Sequence, residues 1–118
     1  MKTLLIPIAL ALALFTMTAC SPSLPGGYSR VSVSEKSIVE AAAFAITKET
    51  EILKATDPKS TLELLSVVSA EHQVVAGANY RMTLRVRHDG KEKEAQATVW
   101  WQAWRTPDPY QLSEWLWR

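Results

Sequence analysis

Residues 80–101 read YRMTLRVRHDGKEKEAQATVWW, and their alternation decides the fold. Tyr80, Met82, Leu84 and Val86 share one face of an extended chain; Arg81, Thr83, Arg85 and Arg87 share the other. A period of two belongs to a strand with one face in a core and one in water. Asp89-Gly90 breaks the pattern and is a turn dipeptide suited to a tight hairpin. Beyond it Ala95, Ala97, Val99 and Trp101 alternate with Glu94, Gln96, Thr98 and Trp100. The spacing predicts an antiparallel hairpin with a basic outer face on its first strand. Glu92 and Glu94 are expected to face the outer arginines across it. Such exposed pairs contribute roughly 0.2–1 kcal/mol each, so they fit the register without holding it.

Working outward, Thr61 to Val75 is rich in Leu and Val but alternates imperfectly, which predicts a bulged or curved strand. Tyr110 to Trp117 follows a loop with Pro107 and Pro109 and reads as a last strand. Upstream the period changes. Ile38, Ala42, Ala45, Ile46, Ile52 and Leu53 recur at helical spacing, with Ser34 and Ser37 as candidate N-caps and 37–40 as a capping box. The helix should end near Lys54, before Thr56-Asp57-Pro58. At ~1.5 Å per residue it is roughly 30 Å long. Ala41, Ala42, Ala43 and Ala45 are small enough to let a sheet wrap closely around it. Tyr28 to Val33 is a candidate short strand ahead of the helix. The order gives an α+β fold, one long helix packed on one face of a curved antiparallel β-sheet, over residues 28–118.

The first residues read differently. Lys2 is followed by an apolar run from Leu4 to Phe15, too short to span a bilayer comfortably, and then by Thr18-Ala19-Cys20-Ser21. Cys20 is the only cysteine of the chain, so an intramolecular disulfide and a thiolate metal cluster are both excluded. Its place at the end of a leader is that of a bacterial lipobox. Met17 departs from the aliphatic usual in that position. The expectation is a lipoprotein signal peptide over 1–19, a lipid on Cys20 that anchors the chain in a membrane, and a tether and trunk over 20–27. The alternative is a plain signal peptide cleaved near Ala19, with Cys20 incidental. Lipidation places the protein on the bacterial cell envelope, at the outer membrane sooner than the inner in a Gram-negative cell, since Ser21 is not the aspartate of inner-membrane retention.

Removing Lys2 with the leader takes one of the 13 basic side chains and balances the rest against the 12 acidic ones. A neutral domain has no electrostatic case for nucleic acid. No catalytic constellation, metal-binding helix or Gly-rich phosphate loop is present, so no cofactor is expected. His72 and His88 are the only histidines and read as solvated strand-end or loop residues.

Three short features remain: Gln73-Val74-Val75-Ala76-Gly77 between two strands, Pro25-Gly26-Gly27 before the first, and Trp104 after Trp100-Trp101-Gln102-Ala103. Singly they are a turn, a linker and a core aromatic. In this order they resemble the cystatins over nearly the whole mature chain. Gln73 to Gly77 matches the family's Gln-x-Val-x-Gly hairpin at every fixed position. LPGG at 24–27 is similar to the stefin trunk. ATVWWQAW at 97–104 and QLSEW at 111–115 are similar to the last strands of plant cystatins. Ala103 stands where the family usually has proline, and the loop from Arg105 to Tyr110 looks longer than in plant relatives.

The resemblance implies a reversible wedge-type inhibitor of papain-like cysteine proteases. Leu24 and Pro25 would fill apolar non-primed pockets, and Gly26 and Gly27 would turn the backbone away from the catalytic thiol. Gln73, Val74, Val75, Ala76 and Gly77 would form the first hairpin of the wedge, and Ala103 and Trp104 the second. The other reading at this point is a non-inhibitory interaction module of the same fold on the envelope, which fold alone does not separate from an inhibitor.

Overall fold

The computed structural model describes residues 27–118. Strand β1 (Tyr28–Val31) leads into helix α1 (Lys36–Thr56), and four strands follow: β2 (Leu62–Val75), β3 (Gly77–His88), β4 (Lys91–Trp101) and β5 (Tyr110–Trp117). All five pair antiparallel in one sheet, in the order β1-β2-β3-β4-β5. The helix lies on one face, as the sequence pattern requires.

The register explains the core. Met82 lies opposite Ala97, Leu84 opposite Ala95 and Tyr80 opposite Val99, so the two apolar series of the hairpin share a face. Ile38, Ala41, Ala42 and Ala45 of the helix meet Ala70, Met82, Leu84, Val86, Ala97 and Val99 of the sheet. Ile38, Met82, Leu84, Val86 and Val99 are the largest fully buried side chains. Each contributes about 1.5–3 kcal/mol by leaving water. The helix side is mostly alanine, so its backbone sits close and the sheet must curl around it. Register shifts in β2 between Leu64 and Ser66, and between Val67 and Ser69, supply extra twist. A further shift beside Thr98 and Val99 lets Leu112 and Trp115, three residues apart, both face the helix, opposite Val99 and Ala97.

Some expectations change. The helix begins at Lys36 after Glu35, whose side chain makes no cap bond. Neither serine caps it: the Ser34 N–H bonds to Ser32 Oγ at 3.2 Å, and Ser37 lies inside the first turn. The start is fixed instead by a backbone turn, in which the Glu35 N–H reaches the Ser32 carbonyl at 3.2 Å. That turn also ends β1 at Val31, leaving Val33 exposed. The helix runs on to Thr56. Arg85 and Arg87 lie opposite Glu94 and Glu92, but the ion pairs differ. Arg87 turns to Glu63 of β2 at 2.8 Å, Arg81 to Glu71 of β2 at 2.8 Å, and Arg85 reaches diagonally to Glu92 at 3.5 Å. Strand β3 has acids on both sides, and its arginines use the β2 side first. The histidines are less solvated than their sequence suggests. His72 is half-buried within β2, and His88 stacks on Trp117 with ring centres 5.1 Å apart.

Candidate functional site

Antiparallel pairing gathers three separate stretches at one end of the sheet. Tyr28 is paired with Gln73, Val75 with Gly77, Ala78 with Trp101, and Trp101 with Tyr110. Gly27 just ahead of β1, the β2–β3 turn at Ala76 and the β4–β5 loop over Gln102–Pro109 therefore stand side by side. Of the residues singled out from the sequence, Gly27, Gln73, Val74, Val75, Ala76, Gly77, Ala103 and Trp104 fall on this edge. Leu24, Pro25 and Gly26 lie outside the described residues, as do Cys20 and the expected signal peptide over 1–19.

The first turn is tight because Gly77 has φ +85°. A Cβ there would also fall on the Trp101 carbonyl oxygen and within 3.3 Å of Trp100 Nε1. Glycine is needed both for the left-handed backbone and for the close approach of β3 to the end of β4. Trp100 Nε1–H donates to the Ala76 carbonyl at 2.8 Å and straps the turn to β4. At its base, Asn79 Nδ2–H donates to Gln73 Oε1 at 2.9 Å. Gln73 is thus a half-buried brace, while Val74 and Val75 stand out, 68% and 38% exposed.

Trp104 is 59% exposed and meets Trp100 edge-on, with ring centres 6.1 Å apart. Its loop is closed by the Gln102 N–H on the Pro109 carbonyl at 2.7 Å and the Arg105 N–H on the Gln102 carbonyl at 2.9 Å. The Thr106–Pro107 peptide within it is cis. The loop's far end is tied to the helix by Tyr110, whose hydroxyl donates to Glu40 Oε1 at 3.1 Å and whose ring packs 5.5 Å from Phe44. Burial first, then the bond and charge of Glu40, push the Tyr110 pKa up to about 12.

The edge therefore presents two valines and a tryptophan to water, over a shallow recess lined by Val75, Ala76, Asn79, Trp100 and Ser113. An exposed apolar edge held by half-buried braces is suited to burial against a partner. Among the described residues no group of three His, Cys, Asp or Glu side chains could hold a metal ion. Sequence reasoning missed Trp100 as the strut between the two loops. The available signal was a tryptophan at an outward position of an alternating strand. Gln102, Gln111 and Arg105 gave no such signal.

Comparison with known proteins agrees with this architecture. A family model described as SQAPI, aspartic acid proteinase inhibitor, matches residues 31–109. Cysteine proteinase inhibitor 5 of Arabidopsis thaliana is 34% identical over 102 residues, covering 85% of this chain and 80% of that one. Cystatin-1 of Crotalus adamanteus is 35% identical over 81 residues, 69% of this chain, which thus spans 56% of that relative's length. Among solved structures, the salivary cystatin of the soft tick Ornithodoros moubata superposes with a TM-score of 0.64 at 21% identity, over 80% of this chain and 99% of that one.

Proposed function

The chain belongs to the cystatin superfamily, and from that premise we propose that it is a reversible inhibitor of papain-like cysteine proteases. Its relatives are inhibitors, and the chain is not an enzyme. The observation that carries the proposal is the gathering of Gly27, the Val74–Gly77 turn and Trp104 on one edge, with the apolar side chains outward. A protease cleft is a groove with apolar pockets on both sides of its thiol. The first turn would enter near the thiol, Trp104 would cover the primed side, and Leu24 and Pro25 would occupy the non-primed side. Gly26 and Gly27 let the backbone turn before a peptide bond reaches the nucleophile. Binding of this kind is burial without bond cleavage, so the inhibitor should be recovered intact.

A second reading is favoured by the matched family model, which is described for aspartic acid proteinases. The discriminating experiment is parallel titration of papain and of a pepsin-like enzyme with the purified protein. Inhibition of papain alone supports the wedge, and inhibition of the aspartic enzyme alone replaces it.

We further propose that Cys20 carries a lipid anchor on the bacterial envelope, supported by its position as the lone cysteine at the end of an apolar leader. Between Cys20 and Gly27 an extended chain reaches at most roughly 25 Å at ~3.3–3.6 Å per residue. Because β1 starts on the wedge edge, the leash and the inhibitory trunk are one segment. Liposome-bound protein should inhibit more weakly than a soluble form beginning at Ser21, and a flexible insertion after Ser21 should remove the difference. Equal potency of all three forms would show that the trunk contributes little.

A further inference from the structure

The second loop lacks the proline with which the family usually stiffens this turn, and Ala103 stands in its place. The turn that carries Trp104 is nevertheless tied by polar contacts at both ends. The Arg105 N–H on the Gln102 carbonyl closes a turn with Ala103 and Trp104 at its centre. The two flanking residues are then joined by one acceptor. Gln111 Oε1 receives Gln102 Nε2–H at 3.3 Å and an Arg105 guanidinium N–H at 3.0 Å. Gln102 is 4% exposed, so its amide relies on that oxygen, whereas Gln111 itself is exposed. In register Gln111 lies opposite Trp100, the ring against which Trp104 rests.

We propose that Gln111 is a positioning residue for the second loop, its side-chain oxygen pinning both ends of the Trp104 turn where proline is missing. The proposal rests on the reading that Trp104 contacts a protease. A loop that must order on binding keeps its affinity only in proportion to the fraction of molecules already in the binding arrangement. Removing the shared acceptor leaves a buried amide N–H without a partner and releases the Arg105 fork, so the closed turn loses population. A carboxylate at the same position keeps an acceptor for both donors and strengthens the bond to Arg105.

The test compares wild type, Gln111→Ala and Gln111→Glu by papain inhibition, by thermal melting, and by hydrogen exchange of the Gln102 and Arg105 amides in the free protein. For Gln111→Ala we expect about tenfold weaker inhibition, as for a loop about one-tenth closed. Exchange at the two amides should be faster, with only a small fall in melting, since the freed Gln102 amide reaches water once the turn opens. Gln111→Glu should restore both inhibition and protection. Faster exchange with unaltered inhibition would overturn the role in binding. Weaker inhibition with unaltered exchange would overturn it too, since Gln111 would then touch the protease directly. If the wild type itself fails to inhibit papain, the functional reading falls, while the exchange comparison still decides whether Gln111 pins the loop.

Discussion

Replacing Gly77 by alanine isolates the contact that joins the two halves of the candidate site. Two costs are added. A non-glycine residue in the left-handed region costs roughly 1–2 kcal/mol, and Gly77 has φ +85°. The new methyl group also falls on the Trp101 carbonyl oxygen, a backbone atom that cannot rotate aside. Forcing strands apart costs a further ~1–3 kcal/mol, as for an overpacked core. Gly90 provides the control. Its φ is +84°, and a Cβ there meets nothing within 4 Å. Gly90→Ala should therefore carry the first cost alone. In a domain of this size each 1 kcal/mol lowers Tm by about 4–8 °C, so Gly77→Ala, at roughly 2–5 kcal/mol in all, should melt roughly 8–40 °C below wild type and Gly90→Ala about half as far or less. The assay is thermal unfolding of the three proteins, paired with papain inhibition. Gly77→Ala should also lose inhibition, because the turn is pushed off its Trp100 strap, while Gly90→Ala, at the other end of the sheet, should keep it. Equal melting of the two variants would refute the close approach and the argument built on it.

Trp104→Ala should weaken papain inhibition by about 2 kcal/mol, roughly 30-fold, with melting unchanged because the ring is largely exposed. Ala103→Pro places proline at the second position of a turn that favours it. The backbone there is not among those with positive φ, and melting should rise by the equivalent of about 0.4–1 kcal/mol with tighter inhibition. Glu49 lies on the buried face of the helix, and burial raises its pKa. Its protonated form is favoured by folding, so stability should fall as pH rises from the unfolded carboxyl value through the raised folded one. Glu49→Gln should abolish that slope in urea unfolding at graded pH; an unchanged slope would exclude Glu49 as its source.

The fold was legible because the sequence carries its periods plainly. The alternation of 80–101 names the two central strands, and Asp89-Gly90 sits at a turn where both residues have positive φ. The helix was legible from Ile38, Ala42 and Ala45, all fully buried. Its start was not, since a backbone turn and not a serine side chain sets it. Glu92 and Glu94 were legible as facing the arginines across the hairpin, and Arg85 pairs with Glu92; Glu63 and Glu71 were not, because they depend on which strand flanks β3 on its second side. In the candidate site, the Val74–Gly77 turn and Trp104 could be found as short sequence features. Of their braces, Gln73 lies within the motif and Trp100 at an outward strand position, but Gln102 and Gln111 carried no such signal. Trp100, Gln102 and Gln111 act across strands, and only the register of β4 against β3 and β5 brings them together.

The central claim is that this edge fills the cleft of a papain-like enzyme and leaves it unchanged. The most direct measurement is titration of papain activity with the purified, folded protein, followed by dilution and by mass analysis of the inhibitor. Stoichiometric loss of activity, recovery on dilution, and an inhibitor of unaltered mass are expected. Full papain activity at micromolar concentration of folded protein, or cleavage of the chain within the trunk or the Val74–Gly77 turn, would contradict it.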